Sequence, residues 1–122
     1  RATPPADRFP SLPPLMSPIT TKSRAALDAT EFSPPAIPVV GNVQARPLTD
    51  IAAIRAELAE QLTSTVRWTE SVEVMRQAGI TSFVELGPKD VLSGLIKRID
   101  RSAERIALNS ADAVRDFVSQ NA

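Results

Sequence analysis

Apolar residues recur along this chain at two periods. Ile51, Ile54, Leu58 and Leu62 fall 3, 4 and 4 residues apart, with Arg55, Glu57 and Glu60 on the other face. That spacing predicts a helix over 49–62, with Thr49 or Asp50 as its cap. A second helix is predicted over 69–78, with Thr69 as cap, Val72 and Met75 inward and Gly79 in the left-handed position past its end. Residues 81–87 read as a strand that Pro88 ends. Asp90 then caps a helix to about Arg101, with Val91, Leu92, Leu95, Ile96 and Ile99 as its apolar face. Lys97, Arg98 and Arg101 lie near its C-terminus, where the helix dipole favours cations. Residues 105–109 form a further short strand, and Asn109 or Ser110 caps a last helix with Val114, Phe117 and Val118 inward.

Upstream the signal is weaker. Residues 38–43, Pro-Val-Val-Gly-Asn-Val, read as a short buried strand. Leu15, Met16, Ile19, Ala26 and Leu27 make a thin stripe that predicts a helix over 15–29, interrupted by Ser23, with Pro18 in its first turn. From residue 38 the order is β-α-α-β-α-β-α. Strands alternating with helices imply an α/β fold: a partial parallel sheet with flanking helices. Three short strands leave two open edges, so the pattern looks like the tail of a larger α/β domain.

Composition sharpens this picture. Nine of the eleven prolines lie in the first 38 residues. Each fixes φ and removes a donor, so residues 1–14 are expected to be an extended or disordered Pro-rich segment ahead of a folded 15–122. Over the 122 residues, 14 Lys and Arg balance 14 Asp and Glu. Zero net charge argues against nucleic acid as a partner, since phosphate contacts need a basic excess. The chain has no Cys and no His, which excludes disulfides, thiolate nucleophiles, an imidazole base and the usual zinc ligands. No apolar run nears the roughly 20 residues that span a bilayer, so no membrane segment is expected. Nor is a signal peptide visible. Arg1 in place of a starting Met suggests a fragment or a processed chain.

Generic catalytic motifs are absent: there is no Gly-x-Ser-x-Gly elbow, Ser-x-x-Lys, P-loop or dinucleotide fingerprint. Glu57 with Glu60, and Glu70 with Glu73, are carboxylate pairs three residues apart. They fit a general acid and base in form but read better as solvated helix faces. Lys97-Arg98 fits a docking patch for an acidic partner, and fits better as a helix end matched to its dipole. Trp68, the lone Trp, reads as a core anchor rather than the wall of a ligand cleft.

A longer series separates this chain from a generic α/β domain. Pro38-Val39-Val40-Gly41-Asn42-Val43 is followed by Gln61-Leu62-Thr63-Ser64-Thr65-Val66-Arg67-Trp68-Thr69-Glu70-Ser71-Val72. Then comes Phe83-Val84-Glu85-Leu86-Gly87-Pro88-Lys89-Asp90-Val91-Leu92, running on to Ile99. In order and spacing this series resembles the C-terminal part of the malonyl-CoA:acyl carrier protein transacylases of fatty acid synthesis, over about residues 15–119.

The resemblance implies a large α/β-hydrolase-like acyltransferase subdomain and a cytoplasmic enzyme. In that family an elbow Ser takes malonyl from malonyl-CoA as an ester. A His activates the Ser, then the phosphopantetheine thiol of acyl carrier protein. An Arg pairs with the malonyl carboxylate, and a Gln carbonyl orients the His. No resident cofactor and no metal are implied; malonyl-CoA and the carrier protein are substrate and partner. The elbow Ser and the Arg precede this segment in the family. The His belongs to a stretch matched by Pro10-Ser11-Leu12-Pro13-Pro14-Leu15-Met16-Ser17-Pro18, which puts Leu12 at the His position. Gln61 matches the supporting Gln and is the one catalytic-site position present. As a bare feature it reads as an exposed helix end. Residues 1–9 depart from the apolar strand the family places there, as an eroded or frame-shifted start would. The fragment alone is expected to be inactive. Two rivals are a piece of a polyketide synthase acyltransferase domain and a non-catalytic remnant that binds carrier protein.

Overall fold

The computed structural model of the chain describes residues 17–122, with side chains from residue 19 on. The expectations for residues 1–14, and the position of Leu12, lie outside the described residues. The chain divides into two compact units, one up to Val74 and one from Met75 onward.

In the first unit, α1 (Ser17–Ala29) packs on α2 (Ile51–Gln61). Arg55 of α2 reaches the end of α1, donating from Nη1 to the Leu27 carbonyl and from Nη2 to that of Thr30. Carbonyls in a last helical turn lack intrahelical partners, so a guanidinium fork is a natural cap for them. The same group lies 4.5 Å over the Phe32 ring. Asp50 caps α2, its Oδ1 accepting from the Ala53 N–H at 2.8 Å, as the pattern predicts.

The predicted buried strand over 38–43 is corrected. Only β1 (Val39–Val40) is extended, and it pairs antiparallel with β2 (Pro47–Leu48), Val39 opposite Leu48. The chain turns back because the Ala45 N–H donates to the Gly41 carbonyl at 3.0 Å and the Gly41 N–H to the Arg46 carbonyl at 3.1 Å. β2 went unpredicted because Arg46-Pro47-Leu48 carries no strand periodicity. Between the strands, the 41–46 loop is pinned by contacts far apart in sequence.

α3 (Trp68–Gln77) begins one residue before the predicted cap, Thr69, which is therefore inside the helix. Val72 is fully buried, as predicted. The helix ends on paired reverse bonds, Ile80 N–H to the Met75 carbonyl and Gly79 N–H to that of Arg76, with Gly79 at φ 89°.

The second unit is a β-α-β-α run: β3 (Ser82–Leu86), α4 (Val91–Ile99), β4 (Glu104–Leu108) and α5 (Ala111–Asn121). β3 and β4 are parallel, Ser82 opposite Glu104 through Leu86 opposite Leu108. Ser110 caps α5 through the Ala113 N–H at 3.1 Å. Arg76 and Asp100 form an ion pair at 2.6 Å. Ile96, Ala103 and Leu108 are buried. The predicted inward faces hold only partly: Val91 and Leu92 of α4 and Val114 and Val118 of α5 are exposed, as is Leu86 at 71%. Two strands and two helices have too little surface to cover every apolar side chain they carry. The fold is α/β with a small parallel sheet and flanking helices.

Candidate functional site

Gln61 is half-buried at the last position of α2. It is not the exposed end that a local reading suggests. Its Oε1 accepts from Asn42 Nδ2 at 3.2 Å, so it meets the 41–46 loop. The Asn42 carbonyl accepts the Arg67 N–H at 2.7 Å, and Arg67 Nη1 donates to the Gln44 carbonyl at 3.3 Å. The buried Ser71 hydroxyl lies 2.9 Å from the Arg67 carbonyl and 3.3 Å from that of Gly41. The Gly-Asn and Gln…Arg-Trp blocks, 19 or more residues apart in sequence, thus form one hydrogen-bonded cluster.

Glu57 is the main correction at this site. The pattern puts it on the solvated face, but it is 4% exposed. Its Oε1 accepts from the Val43 N–H at 2.6 Å and its Oε2 from that of Gln44 at 3.2 Å. Leu58, predicted inward, is 40% exposed instead. α2 carries Ala at 52, 53, 56 and 59, so its sides differ little in hydropathy and the local pattern sets its roll poorly. Glu57 and Glu60 do not act as a pair, since Glu60 stays exposed. Glu70 is exposed and ion-paired to Arg67, and Glu73 is exposed. Lys97 and Arg98 are exposed in the last turn of α4, in keeping with a helix end. Trp68 is half-buried, with its Nε1 buried and without a partner among the described residues.

An open groove of about 340 Å³ runs between α1 and α2. Gln61 lines it with Leu27, Leu58 and Leu62. The cluster beside it supplies amide donors and acceptors, a carboxylate fully engaged by backbone, and a hydroxyl engaged by carbonyls. Such groups orient a partner; they do not attack an acyl group. No described helix is long and apolar enough to cross a membrane.

No family model matches the chain. It is 41% identical over 120 residues to the malonyl-CoA:acyl carrier protein transacylase of Salmonella typhimurium, covering 98% of this chain and 39% of that protein. The crystal structure of the Xanthomonas oryzae transacylase superposes with a TM-score of 0.77 at 40% identity, over 91% of this chain and 35% of that one. The chain belongs to the malonyl-CoA:acyl carrier protein transacylase family. A further transacylase structure is similar at a TM-score of 0.78 and 37% identity, over 93% of this chain and 37% of that one; it is of a type II polyketide acyl carrier protein in complex with its malonyl-transacylase. The chain thus spans less than two fifths of the length of the transacylases it matches.

Proposed function

We propose that residues 15–122 are the C-terminal part of the large subdomain of a malonyl-CoA:acyl carrier protein transacylase. The whole enzyme moves malonyl from malonyl-CoA to the phosphopantetheine thiol of acyl carrier protein, in the cytoplasm, for fatty acid synthesis. The similarity over 98% of the chain carries this reading above a piece of a polyketide synthase. Within it, Gln61 supports the His that activates the Ser and then the carrier thiol. Its place at the end of α2 suits that role, since terminal helix carbonyls have no intrahelical donor.

By itself the chain transfers no malonyl. It has no His, and Leu12 stands at the His position. A leucine side chain neither takes nor gives a proton, so the Ser and the thiol lose their base. The purified chain, given malonyl-CoA and carrier protein, should leave the carrier unmodified on an intact-mass spectrum. A malonylated carrier above the no-protein control overturns this. Joining the family's N-terminal portion to residues 10–122 should give a folded but slow enzyme. Leu12→His in that fusion should raise turnover by about 10²- to 10⁴-fold, the usual contribution of a placed base. If the folded fusion shows no gain, either the alignment at residue 12 is wrong or the loop is too distorted, and adding Pro13→Ser tells the two apart: a gain then means distortion, and none refutes the alignment.

The missing His favours a second reading: carrier binding without turnover. Calorimetry with phosphopantetheinylated carrier protein tests it, and absence of heat at concentrations where the fusion binds refutes it.

A further inference from the structure

Glu57 is a buried ionisable side chain that the transfer chemistry leaves unused. It lies four residues before Gln61 on α2, so the two share one helix edge. No ion pair among the described residues includes it. Its carboxylate instead takes two consecutive backbone N–H groups, those of Val43 at 2.6 Å and Gln44 at 3.2 Å. Successive amides converging on an anion form a nest. Gly41 makes room for it: a Cβ there would sit 2.6 Å from the Glu57 carboxyl carbon. Asn42 lies between that glycine and the nest, and its side chain reaches Gln61. Charge-assisted bonds are roughly twice as strong as neutral ones. The buried Glu57 contacts therefore set the loop, and the more exposed Asn42–Gln61 bond follows it.

We infer that Glu57 is a positioning residue: by gripping the Val43 and Gln44 amides it holds Asn42 where its side-chain N–H donates to Gln61 Oε1, and so orients the Gln61 amide. Its bearing on transfer rests on the proposed role of Gln61; the hydrogen-bonded linkage does not.

Heteronuclear NMR on the full chain tests the linkage. Glu57→Gln keeps the shape but leaves one acceptor where two amides need one each. Amide exchange at Val43 or Gln44 should quicken roughly tenfold or more. The side-chain amide resonances of Asn42 and Gln61 should move toward those of solvent-exposed amides, while those of Asn109 and Asn121 stay in place. If Val43 or Gln44 loses protection and Asn42 and Gln61 do not move, Glu57 only braces the loop and the inference fails. Should Glu57→Gln not fold, Gly41→Ala serves instead, because its methyl displaces the carboxylate. The same Asn42 and Gln61 shifts are expected, and their absence overturns the inference. Gly41→Ala with Glu57→Ala relieves the clash and should leave the shifts in place; recovery of the original resonances overturns it equally. Gln61→Ala in the Leu12→His fusion checks the bearing on transfer separately: the variant keeps the Gln61 backbone carbonyl, so unchanged kcat there refutes any part of the side-chain amide in transfer and leaves the linkage to the NMR result.

Discussion

Glu85 caps α4 through Ser93: its Oε2 accepts the Ser93 N–H at 2.8 Å, while its Oε1 accepts that of Leu92 at 3.0 Å. A strand residue thus satisfies donors at the start of the helix that follows the Gly87-Pro88 turn. Asp90, at the N-cap position and the natural candidate by sequence, makes no side-chain cap bond. The anion also complements the positive end of the helix dipole. It follows that Glu85→Ala should lower the thermal midpoint and Asp90→Ala should leave it nearly unchanged. Circular dichroism melts decide this, and a larger loss for Asp90→Ala would contradict the assignment.

Acid should weaken the second unit. The Ser93 backbone N–H holds the Glu85 carboxyl below its ordinary value. The Ser102 hydroxyl, then its N–H, and further Arg76 hold that of Asp100 below its own. A carboxyl with a depressed folded pKa adds stability above its unfolded pKa, and that stability is lost as pH falls through the folded one. The unfolded values are about 4.3 for Glu and about 3.9 for Asp. Urea midpoints should therefore be flat with respect to these groups above about pH 5 and drop below about pH 4. Glu85→Gln should flatten the drop.

Gly79→Ala should destabilise by about 1–2 kcal/mol, the cost of an L side chain in the left-handed region. The position has φ 89° and ends α3. No neighbour lies within 4 Å of an added methyl, so the cost is conformational rather than steric. Urea denaturation measures it. A neutral result would mean the turn can relax.

Val72 and Val118 should separate sharply. Val72 is fully buried, and Val72→Ala deletes two methyl groups at roughly 0.8 kcal/mol each, plus a cavity term, for about 2 kcal/mol. Val118 is 58% exposed, so Val118→Ala should stay within about 0.5 kcal/mol. Equal costs would show that α5 buries Val118 after all.

Much of the element order was legible from local chemistry. Asp50, Ser110 and Gly79 mark helix ends through bonds that span at most five residues. The short strands at 82–86 and 104–108 pair in parallel because a helix of nine residues separates them. The α/β class and the family resemblance needed nothing beyond such short-range signals and their spacing. Tertiary structure alone decided the rest. Whether Val39–Val40 joins a sheet or turns back depends on the bonds that hold the 41–46 loop, and Arg67 and Ser71 supply them from more than 20 residues away. Whether Glu57 faces water or backbone depends on the roll of α2, which its scattered alanines leave undetermined. A carboxylate enters the interior only where donors await it, and those donors belong to Val43 and Gln44, 14 and 13 residues upstream. Gln61 could be matched from sequence; its hydrogen-bond partner could not, because the loop carrying Asn42 comes to it only when the chain is folded.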